Sequence, residues 1–198
     1  MSFPLTAGSH RVEGPAELAG LVRADAAAGG SVVPGERPSA WLLGLSLPRD
    51  LLVALCAGML REPDAALVAE GVRLAVALHP SPTDPLVLGL LGHHDPALLL
   101  QHDPAQPGRS VEDTALWGAM QVTDLSDDAA RAELLRRLRH AGLPQWEAAV
   151  LIPHGSLAEL QRWWPALVSE GIVADHAEAV AARVARGDDG GRWLASRG

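Results

Sequence analysis

The segment 175–187, DHAEAVAARVARG, places Ala177, Val180, Ala181 and Val184 at the three- and four-residue spacing of one helix face. Asp175 and Glu178 stand early, Arg183 and Arg186 late, and Gly187 supplies a stop, so charge and punctuation agree with the periodicity. The same grammar recurs along the chain. In SDDAARAELLRRLRHAG (126–142) the stripe is Ala130, Leu134, Leu135 and Leu138, ending at Gly142, and LPRDLLVALCAGML (47–60) aligns Leu51, Leu52, Leu55, Cys56 and Met59. SVEDTALWGAM and SLAELQRW open on Ser110 with Asp113 and on Ser156 with Glu159. This capping-box spacing satisfies amides left free in a first helical turn.

Three runs do not fit this scheme cleanly. AWLLGLS, VRLAVALH and EAAVLIP read equally as short apolar strands near 40–46, 72–78 and 147–152, which would make an α/β protein. Alanine and leucine dominate them, however, and the chain offers two isoleucines and no tyrosine to supply a sheet. The expected fold is therefore all-α. Residues 1–14, 29–39 and 104–110 read as loops too short to force a domain boundary. A single domain over 1–198 is expected, with flexible segments at 1–14 and 188–198; the RGD triplet at 186–188 is a chance match.

Composition narrows the function classes. Apolar residues make up 48% and charged residues 20% of the 198 positions, which suits a packed globular chain. All 16 positive charges are arginine. Without lysine there is no Walker phosphate loop, no Schiff base and no kinase-type ion pair. The absence of lysine, asparagine and tyrosine matches the codon bias of a GC-rich, bacterial-type genome. A net charge of −8 repels nucleic-acid phosphates and anionic lipid, so neither is an expected partner. Arg131, Arg136, Arg137 and Arg139 cluster on one helix, where complementing its dipole is their expected role. Cys56 stands alone in an apolar run and reads as a small buried hydrophobe. No secretory leader pattern and no apolar run of membrane-spanning length is visible, so a cytoplasmic location is expected.

The richest stretch in candidate chemistry is TDPLVLGLLGHHDPALLLQHDP (83–104). Asp-Pro recurs at 84–85, 95–96 and 103–104, and because Asp is a preferred N-cap and Pro a preferred first helical residue, each pair predicts a helix start. This turn, with paired apolar segments such as DDAARAELLRRLRHAG and LPQWEAAVLIPHG, resembles HEAT-like helical repeats over roughly residues 47–187. The resemblance implies short antiparallel helix pairs stacked as an α-solenoid with a face for a protein partner.

A metal must be weighed beside that. His94 and His102 are eight apart, about 12 Å of helical rise, which is awkward for one ion on one helix. Yet HHDP and QHDP also resemble the His-Asp doublet of the HD phosphohydrolases. That resemblance implies His79 as first ligand, His102 and Asp103 as the doublet and Asp124 as last ligand, with the metal polarising a phosphoryl group. A proline after the doublet departs from that pattern. No Gly-x-Ser-x-Gly, Cys-x-x-Cys, His-Glu-x-x-His or EF-hand motif is present.

Six tryptophans against one phenylalanine is an unusual ratio. Trp163 and Trp164 are adjacent, so on a helix they diverge by about 100° and cannot share the centre of one face. Either they cover a helix–helix seam or, with Arg162, they form a partner hot spot; Pro165 predicts a kink or break just after them. Trp41, Trp117, Trp146 and Trp193 read as core or junction residues. The sequence thus points to a non-enzymatic interaction module without cofactor, an adaptor or an immunity-type neutraliser of a basic partner. Partner-binding residues are Trp163, Trp164 and Arg162, and the HD-type phosphohydrolase is the alternative.

Overall fold

The computed structural model describes residues 3–7, 10–28, 42, 47–78, 96–106 and 108–197. The chain is all-α with packed helix pairs, and its described strands are a single antiparallel hairpin. It divides into two compact units, residues 1–122 and 123–198, where one domain is expected from the sequence.

The first unit opens with β1 (Leu5–Ala7) and β2 (His10–Val12), in the register Leu5 to Val12, which buries both of those side chains. Among the described residues there follow the helices α1 (Pro15–Ala28), α2 (Arg49–Met59), α3 (Ala65–Leu78), the one-turn α4 (Pro96–Leu99) and α5 (Val111–Val122). Asp64 caps α3 by accepting from the amides of Ala66 and Leu67 at 3.0 and 3.3 Å, and Arg23 of α1 pairs with its carboxylate. Helix α3 is the unit's centre. It packs against α1, α2 and α5, and every residue from Ala65 to Leu74 is buried.

That burial explains why the start of 72–78 mimics a strand: over Val72–Leu74 the helix is covered on all sides and loses the polar face that makes its period legible, whereas residues 75–78 emerge and Ala77 is exposed. The strand near 147–152 is likewise a helix, and the segment near 40–46 lies outside the described residues apart from Leu42. At Gly71 an added Cβ would stand 2.9 Å from Leu60 Cδ2, so α2 and α3 meet through a glycine, and Cys56 donates its thiol proton to the Gly71 carbonyl at 3.2 Å. On α2, Leu55, Cys56 and Met59 are buried as the stripe predicts, but Leu51 is 51% exposed.

The second unit contains α6 (Asp128–His140), α7 (Pro144–His154), α8 (Leu157–Ser169), a 3-10 turn (Ile172–His176), α9 (Ala177–Arg186) and α10 (Asp189–Ala195). Helix α7 is central, packing on α6, α8 and α9. Leu134, Leu135, Leu138, Leu151, Leu160 and Leu167 are at most 1% exposed. Both capping boxes form: Ser156 with Glu159, and Ser110 with Asp113 in the first unit. Gly142 and Gly187 end α6 and α9 in the left-handed region, at φ 69° and 66°, which glycine adopts without a Cβ clash.

Three expectations are corrected here. Of the kink or break expected at Pro165, the break is absent: helix α8 continues through Pro165 to Ser169; the carbonyl of Gln161, which proline cannot serve, belongs to an exposed residue, and Pro165 itself is exposed, so water can take that acceptor. The segment predicted as a loose C-terminal end forms α10, capped by Asp188 and packed so closely on α9 that a Cβ at Gly191 would lie 2.3 Å from the Arg183 carbonyl oxygen. The third concerns α9, whose buried residue is Arg183 and not its apolar stripe. Its guanidinium donates to the carbonyls of Pro153, in the last turn of α7, and of Gly155, just past its end, at 2.5 and 2.9 Å, and to Asp188 at 2.9 Å; Arg186 reaches the Pro153 carbonyl too. These arginines cap a neighbour's C-terminus, where orphan carbonyls and the helix dipole both favour a cation.

Two outcomes follow. Gly191→Ala forces a methyl into the α9 backbone and is expected to lower stability by about 1–3 kcal/mol in urea unfolding, with Gly20→Ala, on α1 in open space and without a positive φ, serving as the control. Arg73→Ala, which removes the cation paired with the buried carboxylates of Glu70 and Asp103, is expected to cost about 3–5 kcal/mol; a loss near zero would mean that the pairing charge adds nothing.

Candidate partner-binding groove

The second unit carries a groove of about 470 Å³ between α6 and α8, both of which pack on α7. Its α6 wall is Ala129, Ala132, Glu133 and Arg136, spaced i, i+3, i+4 and i+7; its α8 wall is Ala158, Glu159, Arg162 and Trp163. The three alanines are exposed and supply methyl groups without bulk. Arg131, buried beneath, ties the walls together by donating to Glu159 at 2.9 Å, to Asp128 at 2.6 Å and to the Leu125 carbonyl at 2.9 Å. Burial alone would lower its pKa, but the hydrogen bonds it donates to Asp128 and Glu159 outweigh that and hold it above the ordinary arginine value.

The arginine cluster on α6 is structural, though not for the dipole reason in every case. Arg131 lies in the first turns, where the dipole disfavours a cation, and its acceptors hold it there. Arg136 grips Glu133 with two bonds of 2.8 Å and Arg137 shares the same carboxylate at 2.6 Å. Those bonds, Arg136 first, pull the Glu133 pKa down from 4.5 to about 2. Arg139 joins Glu147, which is fully buried, to Glu170 at 2.9 Å. This trio borders a pocket of about 300 Å³ with Gly142, Leu143 and Pro144. Burial raises the Glu147 carboxyl above its usual range, opposed by Arg139 and reinforced by Glu170.

The adjacent tryptophans separate as helical geometry requires. Trp163 lines the groove, with the guanidinium carbons of Arg162 and Arg139 at 4.5 and 5.4 Å from its ring centre, within cation–π range. Trp164 turns to α10 and meets Trp193 edge-to-face at 6.1 Å, and Arg197 lies over Trp193. Of the three residues singled out in the sequence, Arg162 and Trp163 therefore share the groove, while Trp164 is a joint between helices. The alanines and Glu133 that complete the groove were not legible as site residues; the only signal was the run of small side chains on the outer face of α6.

The His-Asp set resolves differently. His79 lies outside the described residues, as do Asp84, His93, His94 and Asp95. Pro96 does begin a helix, but the third Asp-Pro does not start one: Asp103 is 1% exposed and accepts from Arg73 at 2.7 and 3.3 Å, from the Thr114 hydroxyl at 2.6 Å and from the Ala105 amide at 2.9 Å. Glu70 completes the cluster on Arg73 at 2.9 Å. Burial works against the Arg73 charge, yet the bond to Asp103 and the charges of both carboxylates hold its pKa raised. A cation at Asp103 would have to displace that guanidinium. His102 is exposed and bridges to Ser110, and Asp124, in the second unit, is held below the usual carboxylate range by the Ser126 hydroxyl and amide. Among the described residues no three His, Cys, Asp or Glu side chains gather as a metal site. No helix of the described residues is long and apolar enough to cross a membrane.

Comparison with family models, with curated proteins and with solved structures returned no match. The functional reading therefore rests on this geometry.

Glu133 gives an acid-stability prediction. Its folded-state pKa, about 2, lies below the ordinary 4.5, so its contribution is present above about pH 4.5 and is lost as the pH falls towards 2. Urea titrations across that window should show wild type losing more stability than Glu133→Gln, with parallel curves above it; identical acid limbs would mean that the pair with Arg136 adds nothing. Trp164→Ala is expected to lower stability by at least the ~0.5–1.5 kcal/mol of an edge-to-face pair, and by more than Trp163→Ala.

Proposed function

We propose that the chain is a non-enzymatic protein–protein interaction module, a HEAT-like stack of helix pairs that acts as an adaptor or as an immunity-type neutraliser, without cofactor and in the cytoplasm. The observation that carries the reading is the α6–α8 groove, where a partly exposed indole lies within cation–π distance of two guanidinium groups beside a strip of alanines. Tryptophan and arginine dominate the energetics of protein interfaces because each offers a large rigid contact with a polar edge. Residues 1–122 hold seven arginines against thirteen acidic residues, net −6, and residues 123–198 nine against eleven, net −2. Long-range attraction of a basic partner is thus supported chiefly by the first unit.

The test is affinity capture with the full chain from its native lysate at low and moderate salt, repeated with Trp163→Ala. A stoichiometric partner is expected whose recovery falls with salt and with the substitution. Capture that ignores both would remove this groove from the function, and a chain that captures nothing while turning over phosphoesters would replace the reading with an enzyme.

A further inference from the structure

We infer that the α6–α8 groove takes an amphipathic helix of a protein partner, one that sets an apolar side chain on Trp163 and, three or four positions away, a carboxylate on Arg162. The inference rests on the interaction reading and names the chemistry of its contact.

Shape comes first. The α6 wall runs from Ala129 to Arg136, about 10 Å of helical rise. A third helix presents side chains at the same i, i+3, i+4 and i+7 spacing and can seat a ridge between two others. The exposed Ala129, Ala132 and Ala158 permit that close approach, because nothing larger than a methyl stands between the helices at those positions.

Charge then selects the partner. Around the groove four arginines, Arg131, Arg136, Arg137 and Arg162, face three carboxylates, Asp128, Glu133 and Glu159. The carboxylates are all engaged: Asp128 and Glu159 by Arg131, Glu133 by Arg136 and Arg137. Arg162 is exposed, lies on the Trp163 ring and makes no ion pair among the described residues. A docked acid therefore meets a cation whose planar donors are open, whereas a docked base meets carboxylates already bonded. The long-range pull of the −8 chain on a basic protein and this short-range choice of an acid do not conflict, since the first acts beyond the Debye length of about 8 Å only weakly and the second at contact.

The experiment pans the full chain against a library displayed on a stable helical scaffold with one helix face randomised. Selected helices are expected to carry Asp or Glu three or four positions from a large apolar residue. Their binding should fall about tenfold or more on Arg162→Glu and on Trp163→Ala, the loss for one charge-assisted contact or one aromatic anchor. Replacing the selected acid by arginine should restore binding to Arg162→Glu. Both substituted positions are at least partly exposed, and unchanged circular dichroism and melting verify the fold; Arg162→Gln, with no reversed charge, is the second variant. Selection of basic or neutral helices, binding that survives Arg162→Glu, or no binder sensitive to Trp163→Ala would each overturn the inference. So would sedimentation showing a dimer that Trp163→Ala dissociates, because the occupant would then be a second copy of the chain. A lysate partner captured equally by wild type and Arg162→Glu would leave the interaction module standing and remove the acidic helix alone.

Discussion

A guanidinium withdrawn from water needs several acceptors at once, and three buried arginines meet that need by reaching across sequence. Arg73 on α3 finds Asp103, thirty residues on; Arg131 on α6 finds Glu159 on α8; Arg183 on α9 finds the carbonyls at the end of α7. The planar fork of five donors suits these multi-element joints in a way that a lysine ammonium would not. Whatever the net free energy of each joint, its geometry is exacting, because loss of any partner leaves a buried charge uncompensated. Packing of leucine against leucine tolerates small slides of one helix along another. The arginine joints do not.

The same chemistry explains how helix ends are satisfied in a chain without asparagine or lysine. Arg49 donates to the Leu78 carbonyl at the end of α3, and Arg183 and Arg186 serve the end of α7. Side chains from one helix thus complete the backbone of another, coupling the local stability of an end to the docking of its neighbour. Three of the described arginines are buried, and most of the exposed ones are taken up by a carboxylate or a carbonyl, so those that are not are informative. Arg162 on its indole is the clearest of them, and it stands where alanines have left a groove.

Much of the secondary structure was legible along the chain. The stripes on α6 and α2, the two capping boxes and the glycine stops at 142 and 187 are local features, set by side chains within a turn or two of one another, and they required no knowledge of the fold. Helices α3 and α7 were ambiguous for the opposite reason: central helices are covered on several sides, so their apolar residues lose the period that marks an amphipathic helix. Of the candidate site, Arg162 and Trp163 could be named from composition and adjacency, but the division of labour between Trp163 and Trp164 depends on where α6 and α10 lie.

What the sequence by itself determined is the all-α class, the positions of many helix ends and the list of unusual residues. What only the tertiary structure decided is the use of those residues. Asp103 reads as an N-cap or a metal ligand until Arg73 and Thr114 are brought onto it, and Arg183 reads as a terminal cation of its own helix until it is found at the end of another. The Gly-Gly pair at 190–191 reads as a frayed end until α9 is seen against it. In each case the short-range rule is correct in isolation and is overridden by a partner 8 to 30 positions distant, because a buried charge or a close backbone contact is a larger energy than a local preference.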